Sequence, residues 1–150
     1  MDSEKVQVLL AVYTTTQENL RDMRSRVIGI SSTAITFFTV FVGWIVQKQA
    51  KPSFQETLLF IFVVIVFWLC NLRILLDIRR GFVNTMNTLL RIEKSLKLCE
   101  PSYFNYDSEP LLPISYQKSK TGKHFKMFEL TLSISAIAAS LILMLKYALE

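Results

Sequence analysis

Two groups of side chains have the types and spacing to do chemistry. The first is Ser32, Thr36, Thr39 and Gly43, which step by four, three and four inside an apolar run. At helical spacing they share one line along a helix. Hydroxyls facing lipid gain nothing. The line is therefore expected to face other helices, where small residues allow close approach, or to line a water-filled pore between copies. The second group is basic and aromatic: Arg79, Arg80, Arg91, Lys94, Lys97, Lys118 and Lys120, with Tyr103 and Tyr106. Cationic side chains attract phosphates, and bases stack on aromatic rings. The chemistry implied is binding of a nucleotide or short single-stranded DNA. The alternative is charge that only orients the chain in a membrane.

Catalytic patterns are missing. No phosphate-binding glycine loop, HExxH or GxSxG occurs. The single His124 has no second histidine, and two cysteines with one histidine cannot complete a zinc site within one chain. The acids are scattered and most lie near a basic residue, so nothing gathers them for general acid–base work. The expectation is no enzyme, no metal and no cofactor. The centres of the apolar runs also lack the charges that mark proton-coupled carriers, and no internal repeat suggests alternating access.

The elements that must carry these residues follow from hydropathy. The chain has 150 residues, 51% hydrophobic, with a net charge of +5 and a mean hydropathy of +0.36. Thr57–Leu72, TLLFIFVVIVFWLCNL, holds no charge and is apolar on every side, as a membrane-buried helix is. The predicted fold is an all-α membrane protein with three transmembrane helices, an N-terminal amphipathic helix and a cytoplasmic helical stalk that continues the second span. Residues 1–26 form the amphipathic cytoplasmic helix and 27–46 the first span, with 47–56 an external loop. The second span is 57–72, followed by the stalk at 73–98, a cytoplasmic loop at 99–124 and the third span at 125–149. The first residues lack the basic start of a signal peptide, so the spans are expected to be retained.

The stalk carries its own pattern. Leu75, Ile78, Phe82, Thr85, Leu89, Ile92 and Leu96 step alternately by three and four. That is a coiled-coil type of seam with one polar position, Thr85. It could join copies of the protein, or pack on the N-terminal helix of its own chain. Basic residues set the orientation. Four lie before the first span, two in the short loop, ten from Arg73 to Lys126 and one, Lys146, at the outer end of the third span. With the N-terminus inside, fourteen are cytoplasmic and three external, which places the C-terminus outside. Lys146 and Tyr147 are expected to anchor the outer end of the third span.

A basic juxtamembrane helix (RDMRSR, Arg21–Arg26), closely spaced spans and a cytoplasmic helix together resemble the transmembrane effectors of bacterial anti-phage systems. Among these the Hailong type is the most similar in layout. The resemblance implies a homo-oligomeric channel in the bacterial inner membrane, under the control of an oligodeoxyadenylate signal from a companion nucleotidyltransferase. The alternative is a non-conducting membrane adaptor whose cytoplasmic helices dock a protein partner.

Overall fold

A computed structural model describes residues 3–47, 52–97, 100 and 123–149. All the secondary structure in these residues is helical. α1 runs Ser3–Gln47, α2 runs Phe54–Ser95 and α3 runs Lys123–Leu149. Each is long and apolar enough to cross a membrane. At about 1.5 Å per residue, α1 and α2 are roughly twice as long as a hydrocarbon core is thick, whereas α3 exceeds it by only a few residues at each end. A large part of α1 and of α2 therefore lies beyond the hydrocarbon.

The chain divides into two compact units, and α1 and α2 contribute to both. An apolar unit comprises residues 26–78 and 123–150, and a polar unit comprises residues 1–25 and 79–122. In the apolar unit, α1 buries Val27, Ser31, Ala34, Phe38, Val42 and Ile45. These step by four, three, four, four and three, which is one helix face. α3 buries Phe125, Leu132, Ala136, Ala139, Leu143 and Lys146 in the same manner. From α2 come Thr57, Val64 and Leu75, one heptad or more apart. Aromatic rings fasten α1 to α2: Phe37 stacks on Phe67 at 4.1 Å, and Phe38 meets the same ring edge-on at 5.6 Å. Between α2 and α3, the Trp68 indole donates to the Ser133 hydroxyl at 3.2 Å. Most other apolar side chains of the three helices, such as Val40, Phe62 and Ile137, are exposed. That is the expected surface for helices solvated by lipid tails.

Helix ends explain the boundaries. Ser53 and Glu56 form a capping box that starts α2: the Ser53 amide donates to the Glu56 carboxylate at 2.8 Å, and the Glu56 amide donates to Ser53 Oγ at 3.3 Å. The far end of α2 is set by Lys97, whose φ of 56° is left-handed. The helix thus closes at Ser95, short of the 98 expected from the seam, because a left-handed residue cannot continue it. The start of α1 also differs from expectation in one respect. Residues 1–26 and 27–46 were separate elements by composition, yet Ser3–Gln47 is a single helix. The arginines between them mark a change of surroundings and do not interrupt the backbone.

In the polar unit, the first half of α1 packs on the last part of α2. Leu20 and Thr16 of α1 and Phe82, Leu89, Ile92 and Glu93 of α2 are all buried. A methyl added at Gly81 would lie 3.6 Å from the Met23 side chain. The Arg24 guanidinium lies 5.6 Å above the Phe82 ring.

Candidate functional site

The polar line of α1 is the ridge between two grooves. Ser32 and Thr36 border the first, of about 630 Å³, with Thr33, Phe37, Phe41 and Trp44. Thr39 and Gly43 border the second, of about 490 Å³, against Ser135, Ala138 and Ala139 of α3. Ser32, Thr36 and Thr39 are exposed and Gly43 is half-buried. Their hydroxyls differ in an informative way. Ser32 donates to the Ile28 carbonyl at 2.6 Å and Thr39 to the Ile35 carbonyl at 2.9 Å, so both are satisfied within the helix. Thr33 and Thr36 have no hydrogen-bond partner among the described residues. Added Cβ atoms at Gly29 and Gly43 would meet nothing within 4 Å among the described residues, so the space above both glycines is open.

The seam residues are covered by their own chain to a large extent. Leu75, Phe82, Leu89 and Ile92 are buried, and Ile78 and Leu96 half-buried, within one copy. For Phe82 the neighbour is α1, through Arg24.

The basic group lies on the other side of α2. Arg80, Arg91, Lys94 and Lys97 are exposed and Arg79 is half-buried. Spaced as they are, the four that lie within α2, Arg79, Arg80, Arg91 and Lys94, share the half of the helix turned away from the seam. Arg79, Arg80 and Lys97 are each already engaged, Lys97 in part with Glu100 at 3.2 Å. Tyr103, Tyr106, Lys118 and Lys120 lie outside the described residues.

Two ionisable groups absent from the sequence-based site are buried. Glu93 is 1% exposed, and its carboxylate oxygens close no well-formed hydrogen bond with a described residue, although the Tyr13 hydroxyl lies near. Burial pushes its carboxyl above the ordinary 4.5, and the nearby Tyr13 hydroxyl offsets this only in part. Lys146 is 8% exposed. Its ammonium donates to the Ile45 carbonyl at 2.7 Å and the Val46 carbonyl at 2.9 Å. These are among the last carbonyls of α1, which have no partner within their own helix. A cation there also suits the negative end of the helix dipole. Lys146 therefore caps α1 from α3, where an interfacial anchor was expected. Both residues carry a signal in the sequence. Glu93 continues Phe82, Met86 and Leu89, and Lys146 continues Ala136, Ala139 and Leu143, each at buried-face spacing.

Among the described residues, no group of three or more His, Cys, Asp or Glu is placed to hold a metal ion. The chain matches no family model, no curated protein and no solved structure.

Proposed function

We propose that the chain is the protomer of a homo-oligomeric ion pore in the bacterial inner membrane, controlled from the cytoplasmic side by a nucleotide or oligonucleotide signal. In this reading the N-terminus is cytoplasmic and the pore is the membrane-disrupting effector of an anti-phage system. The observation that carries the pore is the groove at Ser32–Trp44. Thr33 and Thr36 place hydroxyls without partners among the described residues in the middle of a candidate span. An unpaired hydroxyl in hydrocarbon costs roughly 2–7 kcal/mol, and water or a neighbouring chain removes that cost. Copies arranged around an axis would turn these hydroxyls towards it.

The basic half of α2 supports control from the cytoplasmic side, since α2 runs unbroken from the apolar stretch to Lys94. The defence role rests on the resemblance in layout. Purified protein in liposomes is expected to pass ions, with a current that changes on adding nucleotide or short single-stranded DNA. Thr36→Cys should make the current sensitive to thiol reagents. Absence of conductance under every condition, with a protein partner retained by the helices, would instead establish a membrane adaptor.

A further inference from the structure

The polar unit contains a groove of its own, separate from the basic half of α2. Thr14, Gln17, Glu18, Arg21 and Arg24 line one side of it, all from α1. They recur at intervals of three, one, three and three, so one helix face presents them together. Leu20 of α1 and Met86 and Leu89 of α2 supply apolar walls, and the volume is about 520 Å³.

The two arginines are the unusual feature. Neither Arg21 nor Arg24 has a hydrogen bond or ion pair with any described residue. Glu18 lies three residues before Arg21, yet no ion pair forms between them. Arg24 is held over the Phe82 ring at 5.6 Å. That contact is with the ring and uses none of the guanidinium N–H groups in a hydrogen bond to a described residue. Arg79 and Arg80 differ, since each is already engaged. The groove thus concentrates fork-shaped donors that pair with no described residue, above an apolar wall. Gln17 donates one amide hydrogen to the Tyr13 hydroxyl at 2.8 Å and keeps a second.

We propose that this groove binds a phosphodiester, with Arg21 and Arg24 forking onto its two free oxygens. Two arginines and one glutamate leave one net positive charge, which matches the single negative charge of a phosphodiester better than the dianion of a phosphomonoester. Leu20, Met86 and Leu89 take the apolar substituent beside the phosphate. A phospholipid head group and a soluble dinucleotide share this chemistry. The inference does not depend on conduction, because its test measures binding.

The test uses the full chain in uncharged detergent with two probes: a dinucleoside monophosphate, and phosphatidylglycerol in mixed micelles. A bound phosphodiester should lose at least about tenfold in affinity in R21Q/R24Q, as expected when charge-assisted hydrogen bonds are removed. R73Q, which breaks only the exposed pair with Asp77, should stay within about threefold of the parent. Circular dichroism confirms that each variant is helical. E18Q guards against loss through misfolding: removing the like charge should strengthen binding about three- to tenfold. Binding of the dinucleotide with these responses identifies a soluble source, and binding of phosphatidylglycerol alone a lipid source. Binding of neither probe, or affinity unchanged in both R21Q/R24Q and E18Q, overturns the proposal.

Discussion

Glu93 is the residue whose placement most directly sets a measurable property. Its carboxyl is buried near the Tyr13 hydroxyl, and burial outweighs that hydroxyl and raises its pKa above 4.5. Below 4.5 it is protonated whether the chain is folded or not, so the folded state bears no penalty for a buried charge. As pH rises from 4.5 through the raised value, the unfolded chain releases the proton while the folded chain retains it. Stability is therefore lost across that window. Glu93→Gln removes the titration and keeps the shape. In detergent, its melting temperature should match the parent near pH 4 and exceed it near pH 8, by an amount equivalent to roughly 1–3 kcal/mol. An offset that stays constant with pH would refute the assignment. The sequence placed Glu93 among scattered acids near basic residues. Its spacing from Phe82, Met86 and Leu89 held the better clue, which charge alone obscured.

At the scale of elements, the three spans were legible because an uncharged run of sixteen to twenty residues has few other stable homes. The seam was legible as a buried face too. Its neighbour was not, because periodicity states that something covers a stripe without naming what. In the polar unit, α1 lies against it, through Arg24 on Phe82. The partner of Lys146 was illegible for a related reason. A lysine near the end of a span reads as an interfacial anchor, and only the fold places the last carbonyls of α1 beside it. Replacing it with Met keeps most of the apolar stem and leaves those carbonyls without their donor. Lys146→Met should destabilise the protein by roughly 1–3 kcal/mol per carbonyl exposed to this loss. Lys146→Arg should retain part of the difference. Thermal unfolding of the two variants side by side checks this, and equal melting of Met and parent would remove the cap from consideration.

For the whole molecule, three helices long and apolar enough to cross a membrane predict that the two ends lie on opposite faces. The basic bias of fourteen to three predicts that the N-terminus is inside. Reporter fusions at each end check the arrangement, and an external N-terminus would reverse the side from which any ligand acts. The open space above Gly29 and Gly43 makes a separate prediction. Cysteine at Gly43, in a background with Cys70 and Cys99 replaced by Ser, should cross-link copies in native membranes. A chain that remains monomeric after oxidation would count against assembly along this face. The sequence identified this ridge by its small residues. It could not separate the satisfied hydroxyls of Ser32 and Thr39 from the unsatisfied ones of Thr33 and Thr36, because rotamer choice decides that.

The two bonds from Lys146 also act as a mechanical stop. Both are under 3 Å long, and they join α3 to the terminal carbonyls of α1. Sliding one helix past the other by a single turn, about 5.4 Å, would break both at once. Piston movement between α1 and α3 is thus opposed, while tilting about the joined ends preserves the bonds. If the grooves beside Thr36 and Thr39 widen or narrow, they should do so by a change of angle, with the axial register of the two helices kept constant.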